Sequence, residues 1–299
     1  MTLHRFLLGL LASASLLLTG CKDPNGSSGG TSGAALYTFD TNTNQVLVWK
    51  NLGTLYETTA NATPSFVITS SLFSKVTNMA WGGLCFDSNR GILYMVSDTG
   101  SIVRVTNIRT QTGAVPNAEV VSFNLATAGR LTNGKFGQAA LDPQNNLLYI
   151  TESGDNATQI WVVSMASAQI QDASVPLQAL QLSGDTGGTG VAAASGSVYA
   201  FMLDGGTVGT EALTGPRLRR GTNTAFTSTE VIVGNKTTLG KYGALALDTA
   251  NSYLFVARHN GDAGVSTAPV LAFRTGQFGL TYNQAPTLSL GSSVDQASL

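Results

Sequence analysis

Apolar and polar positions fall in short runs that recur in a fixed order along the chain. Gly83-Leu84-Cys85-Phe86-Asp87 is followed by Ile92-Leu93-Tyr94-Met95-Val96. The order returns as Gln138-Ala139-Ala140-Leu141-Asp142 with Leu147-Leu148-Tyr149-Ile150-Thr151, and as Ala244-Leu245-Ala246-Leu247-Asp248 with Tyr253-Leu254-Phe255-Val256-Ala257. In all three the aspartate stands seven residues before the aromatic, with turn-forming residues between them. A fourth copy, Gly190-Val191-Ala192-Ala193-Ala194 and Ser197-Val198-Tyr199-Ala200-Phe201, has a hairpin two residues shorter and Ala194 in place of the aspartate. Apolar runs of this length, bounded by turn formers and rich in aromatic and β-branched residues, predict paired strands.

A third strand is expected at Ile102–Val105, Ile160–Val163 and Val270–Phe273, and a fourth at Glu119–Phe123, Leu177–Leu182 and Val231–Val233. Four strands per unit at a period of about 50–57 residues is the pattern of a propeller blade. A lone blade cannot cover both of its faces, whereas blades stacked around a ring cover one another. Residues Leu36–Phe39 and Val46–Trp49 match the second and third strands of a blade without a first. The final Gln296-Ala297-Ser298-Leu299 resembles Gln138-Ala139-Ala140-Leu141, a first strand, so pairing of the N- and C-terminal strands is expected to close the ring. Tyr37, Tyr94, Tyr149, Tyr199 and Phe255 mark five units. The expected fold is an all-β propeller over residues 35–299 with five blades, six being the alternative.

The N-terminus has another pattern. His4 and Arg5 precede an apolar run from Phe6 to Leu18. That is short for a bilayer span, which needs about 20 residues, but suits the core of a signal peptide. Leu18-Thr19-Gly20-Cys21 follows directly and resembles the bacterial lipobox. The resemblance implies a signal peptide over residues 1–20, cleavage before Cys21 and lipidation of its thiol. Lys22 stands where an aspartate would resemble an inner-membrane retention signal, which favours the outer membrane or cell surface. Residues 21–34 are rich in Gly and Ser and predict a flexible tether with a reach of about 20 Å.

Segments such as Leu148–Asn156, and Leu247-Asp248 with Tyr253–Asp262, resemble the YVTN and lactonase-like propeller repeats, at the level of blade pattern over most of residues 83–275. That family includes lactonases, surface-layer proteins and binding proteins, so the fold does not carry a function. Charged residues are 11% of the chain and the net charge is -1, leaving no basic surplus for nucleic acid. Cys85 is the only cysteine besides Cys21 and is expected to be a buried, inert thiol.

Loops joining blades, and loops after each second strand, are expected to share one mouth of the ring. The first group contains Trp81, Lys135, Phe136, Lys241 and Tyr242; the second contains Asp40, Asp98, Glu152, Asp204, Arg258 and His259. Aromatic platforms with a polar rim suit a small polar ligand, a glycan or a protein partner. No catalytic constellation stands out. His259 is the only histidine beyond the leader, no nucleophile elbow accompanies it, and the carboxylates have no fixed separation. Neither a metal nor a cofactor is expected: Asp40-Thr41-Asn42-Thr43-Asn44 resembles the start of a calcium loop but has Gln45 at the glycine position. Arg217, Arg219 and Arg220 are expected to form a solvated strand edge. The function so read is that of a monomeric, lipid-anchored envelope binding or scaffold protein, the alternative being an envelope hydrolase or lactonase-like enzyme using the same acidic residues.

Overall fold

The computed structural model describes residues 16–19, 35–50, 63–116, 120–124, 135–153, 159–165, 177–181, 185–206, 208, 212–240, 243–258 and 270–290. It is all-β, with only short 3-10 turns besides strands among the described residues, and divides into one unit up to Asn124 and a second from Leu125. None of the described helices is long and apolar enough to cross a membrane.

The first unit holds β1 (Leu16–Thr19), β2 (Ala35–Asp40), β3 (Gln45–Trp49), β4 (Phe66–Thr69), β5 (Met79–Asp87), β6 (Ile92–Ser97), β7 (Ser101–Val105), β8 (Gly113–Ala114) and β9 (Val120–Asn124). Strands β1 to β4 pair in chain order, and β5, β6, β7 and β9 form a second antiparallel series. Leu16–Thr19 pairs with the edge of β2; the pairing expected of Gln296–Leu299 falls on residues outside the described ones.

The second unit repeats one four-stranded antiparallel sheet. The first copy has β10 (Lys135–Asp142), β11 (Leu147–Ser153), β12 (Gln159–Ser164) and β13 (Leu177–Gln181). The next has β14 (Thr186–Ala194), β15 (Ser197–Asp204), β16 (Arg217–Thr222) and β17 (Phe226–Val233). The last has β18 (Gly243–Asp248), β19 (Tyr253–Arg258), β20 (Val270–Arg274) and β21 (Leu288–Leu290).

Strand β15 shows why the sheets stack. Alternate residues point to opposite faces. Val198, Ala200 and Met202 join a core with Tyr149, Ile160 and Val162 of the preceding sheet. Tyr199 and Phe201 join a different core with Leu245, Leu254, Val256 and Phe273 of the following sheet. Both faces of this strand are therefore apolar, and each is covered by a neighbour. In the first unit one core likewise joins Phe39, Val46 and Ile68 to Leu84, Leu93 and Met95, with Phe73 and Val76 of the 3-10 turn Ser71–Val76 added.

The recurring aspartate is a hairpin cap. Asp87, Asp142 and Asp248 each use Oδ1 to accept the backbone N–H groups two and three residues on, at 2.9–3.3 Å. The turn then closes through a left-handed residue, Gly91 (φ 67°), Asn146 (φ 55°) or Ser252 (φ 58°). In the degenerate copy Ser195 and Gly196 both have positive φ, which makes the tight two-residue turn that the shorter sequence requires. Its missing aspartate is supplied by the preceding hairpin: Gly196 N–H donates to Asp142 Oδ2 at 2.7 Å.

The aromatic of the second strand is buried in several copies. Tyr94 and Tyr149 are fully buried, and among the described residues their hydroxyls have no hydrogen-bond partner. Burial pushes the Tyr94 hydroxyl up to about 12 and the Tyr149 hydroxyl also upward. A buried hydroxyl without a partner costs about 1–3 kcal/mol. Tyr149→Phe is accordingly expected to raise the unfolding free energy by about 1 kcal/mol, read as a higher midpoint in urea at unchanged slope. A lower midpoint would mean that the hydroxyl is satisfied.

Candidate functional site

In every repeat after the first, the end of the second strand lies beside the beginning of the inner one. Ser97 faces Met79, and the Asp98 N–H donates to Asn78 O at 2.7 Å. Glu152 faces Phe136, Asp204 faces Thr186 and Arg258 faces Gly243. Asp98, Glu152, Asp204 and Arg258 thus each stand at the same end of the second strand of their own sheet, but their side chains differ in what they can offer.

Glu152 and Phe136 are buried. The Glu152 carboxylate accepts the Trp161 indole N–H at 2.7 Å and the Gln159 amide at 3.4 Å, so it is enclosed by its own blade. Asp40 caps the hairpin between β2 and β3, accepting Asn42 N–H at 3.0 Å and the Thr43 hydroxyl at 2.7 Å. Asp98 and Arg258 are half-buried, and Asp204 is exposed at 68%. Lys241, Tyr242 and His259 lie outside the described residues, as do the side chains of Trp81 and Lys135. Cys85 is buried and its thiol is pushed up to about 12, which leaves no thiolate to react.

Beneath Asp204 lies a cluster that the sequence reading placed in solvent. Arg217 and Arg219 are buried, not a solvated edge, and both contact the buried Asp185, the residue just before β14. Arg219 binds the carboxylate through Nε to Oδ2 and through Nη2 to Oδ1 at 3.0 Å. Arg217 reaches Oδ1 through Nη1 at 3.2 Å. Its other N–H groups donate to Gly206 O at 2.8 Å, Gly205 O at 3.1 Å and Gly215 O at 3.1 Å, and Nη2 lies 4.0 Å from Asp204 Oδ1. Burial pulls the Arg217 guanidinium below its ordinary value, and Asp185 pulls it back up. The burial has a simple cause: alternation along β16 turns these arginines inward beneath the turn after β15, where three backbone carbonyls need donors. A side chain on Gly205 would overlap the Asp185 carboxylate, so this position needs glycine.

A second group missed in the sequence binds the inner strands together. Gln138 of β10 accepts the N–H of Val191 and the N–H of Leu245 on Oε1, both at 2.9 Å, and donates from Nε2 to Leu245 O at 2.9 Å. One amide therefore joins three inner strands, β10, β14 and β18. Its signal was a long polar residue at a position occupied by Gly or Ala in the other copies. Gly190 makes room for it, since a Cβ there would overlap Gly243 O and approach Gln138 Oε1 to 3.2 Å.

Arg220, the third arginine, is half-buried and forms a two-pronged pair with Glu230, both contacts at 2.6 Å, while Nη1 donates to Thr275 O at 3.0 Å. Hydrogen bonding from Arg220 holds the Glu230 carboxyl below the usual range. A lowered folded value means the pair stabilises the protein above the unfolded Glu value, about 4.3, and that this contribution is lost as pH falls through the folded value. Arg220→Gln is expected to lower the urea midpoint at neutral pH and to match the parent below the folded value. A deficit that persists into acid would assign the effect to packing on Phe278, over whose ring the guanidinium lies at 5.9 Å.

Among the described residues no group of three or more His, Cys, Asp or Glu could hold a metal ion. Glu152 is enclosed by Trp161 and Gln159, and Asp40 is committed to its own turn.

No protein-family description and no curated protein matches the chain. Solved structures do. Hydrazine synthase of Kuenenia stuttgartiensis is 12% identical, with a TM-score of 0.47 over 81% of this chain and 62% of that one. A chain of a nidogen/laminin complex is 18% identical, with a TM-score of 0.43 over 68% and 66%. Dihydro-heme d1 dehydrogenase NirN in complex with DHE is 11% identical, with a TM-score of 0.46 over 94% and 49%. All three are propeller proteins. The chain spans about three fifths of the hydrazine synthase chain and half of the NirN chain. Likeness of this degree carries no reading of activity.

Proposed function

We propose that this protein is a lipid-anchored β-propeller of the bacterial cell envelope, a monomer of five YVTN-like blades closed by its C-terminal strand, that presents the loop end of its blades to a small polar ligand, a glycan or a protein partner. Cleavage before Cys21 and lipidation of its thiol attach it to the membrane through the tether of residues 21–34, with the outer membrane or cell surface favoured.

One observation supports a binding role above the rest. The turn that follows β15 is held from beneath by Arg217, which donates to the carbonyls of both Gly205 and Gly206, and Arg217 is itself held by Asp185. A loop fixed by buried, hydrogen-bonded supports loses little freedom when something docks on it. Asp204, exposed at 68%, stands on that support as a fixed carboxylate. A glycosidase would instead need two carboxyl groups placed on either side of the scissile bond.

The test is a glycan and metabolite binding screen on the full chain, repeated with Trp81→Ala, Tyr242→Ala and Asp204→Ala. Binding is expected for the parent and weakened by at least one substitution, with folding intact. Equal binding by all four proteins would remove this face from consideration. Hydrolysis of a lactone or glycoside that Asp204→Ala abolishes would move the assignment to the enzyme.

A further inference from the structure

In two places the outer strand of a repeat is covered by a strap from the repeat that follows. In the first unit the connection between β7 and β9 runs back to β4. There β8 pairs parallel with β4, Gly113 opposite Ile68 and Ala114 opposite Thr69. Val115 N–H then donates to Thr69 O at 2.9 Å, and Val115 joins the core that holds Ile68. In the second unit the connection between β20 and β21 runs back to β17. Val233 N–H donates to Tyr282 O at 2.9 Å, Lys236 N–H donates to Asn283 Oδ1 at 2.9 Å, and Tyr282 packs against the cluster of Val208, Val231 and Val233.

Register shows that both straps meet one position. Thr69 faces Gln45 and follows Ile68, which lies in line with Val46 and Phe39. Val233 faces Arg217 and follows Ile232, which lies in line with Leu218 and Phe201. In the third repeat Gln181 faces Gln159 and follows Leu180, which lies in line with Ile160 and Thr151. Ile68, Ile232 and Leu180 are all buried. The N–H and C=O of one strand residue point to the same side. Those of Thr69 and Val233 turn away from their own sheets, and by register so do those of Gln181 and of Ala179, two residues before. Strand β13 ends its sheet and among the described residues pairs with β12 alone. Its strap would come from the fourth repeat, where the third and fourth strands are joined only by residues 223–225. Thr222 N–H donates to Ala225 O at 2.8 Å, which closes that turn on itself. The same connection spans residues 50–65, 106–119, 165–176 and 275–287 in the other repeats. From Leu177 to Gln181 there is neither a charge nor a proline to blunt the edge.

We propose that the outer edge of β13, at Ala179 and Gln181, takes up an extended peptide of a partner protein as a parallel strand, in the manner in which β4 takes Gly113-Ala114-Val115. In strand addition the main-chain hydrogen bonds supply attraction and the side chains supply selection. The segment that fits is uncharged, two small residues followed by an apolar one, because Leu180 holds the place of Ile68, whose core buries Val115. The edges of β4 and β17 each take a single extended segment, so a peptide rather than the β13 edge of a second copy is the occupant. This surface is distinct from the loop end of the blades, and its failure would leave the reading of that end untouched.

The experiment is amide hydrogen exchange on the full chain, with a synthetic peptide of the sequence Gln111–Pro116 as the probe. A second peptide carries an N-methyl group on the residue equivalent to Val115, which removes the donor that Val115 uses on Thr69. In dilute chain without peptide, the Gln181 amide is expected to exchange at least roughly tenfold faster than the strapped Val233 amide. Saturating probe is expected to slow Gln181 and Ala179 about tenfold, and the N-methyl peptide to leave both unchanged. Slow exchange at Gln181 in the dilute chain alone would show the edge already covered and overturn the proposal. Slowing that appears on raising the protein concentration without peptide would give the edge to a second copy instead. No slowing by the probe, or equal slowing by both peptides, would refute strand addition.

Discussion

Asp185→Ala is expected to destabilise the protein by about 3–5 kcal/mol. The reason is charge left uncompensated rather than contact area lost. Asp185 is 1% exposed and is the shared partner of Arg217 and Arg219, which are 0% and 7% exposed. Truncating the carboxylate leaves two guanidiniums facing each other inside the protein, with Asp204 at 4.0 Å the only other acid paired with Arg217 among the described residues. Arg217 retains its bonds to the carbonyls of Gly205, Gly206 and Gly215, so the damage should centre on the turn after β15. The measurement is urea unfolding with the slope checked for constancy. The deficit should change little with added salt, because buried pairs are poorly screened. A change below about 1 kcal/mol would instead be typical of a surface pair and would refute the cluster. Replacing Asp185, Arg217 and Arg219 together with apolar residues should recover part of the loss, since a whole buried ion cluster often exchanges for hydrophobic packing at small net cost.

Gln138→Leu is expected to cost about 3–6 kcal/mol, because three buried backbone groups lose their partner at once and each unmet group costs about 1–3 kcal/mol. Those groups are the N–H of Val191 and both the N–H and C=O of Leu245. Leucine has nearly the volume of glutamine, so a cavity cannot explain the loss. Hydrogen exchange at Val191 and Leu245 separates this mechanism from general loosening. Both amides should lose protection before the rest of β14 and β18. Unchanged protection at these two sites would show that the amide does not join the strands.

These two groups also mark where sequence reasoning stopped. The strand runs, their order and their hairpins could be read from alternation and turn chemistry, because each depends on residues close together in the chain. The aspartate seven residues before each aromatic became intelligible as a hairpin cap as soon as its Oδ1 bonds were seen. The arginines of β16 were misread because a charged strand ordinarily faces water. Their burial depends on Asp185, 32 and 34 residues away in sequence. Glu152 looked like a free rim carboxylate for the same reason: its partner, Trp161, lies on the next strand. Gln138 could have been singled out, since glycine or alanine stands in its place elsewhere, but its partners lie 53 and 107 residues away.

Local pattern was therefore enough to specify an all-β chain of repeating antiparallel sheets whose apolar faces must be covered by neighbours, since period, turn residues and strand propensity act within a few residues. Assigning polar side chains to support or to solvent required the folded chain. Burial and partnership of a charge depend on strands distant in sequence, and the low-dielectric interior makes that partnership decisive. The place beside β2 obeys the same division: sequence named an inner strand for it, and only the paired backbone showed Leu16–Thr19 there.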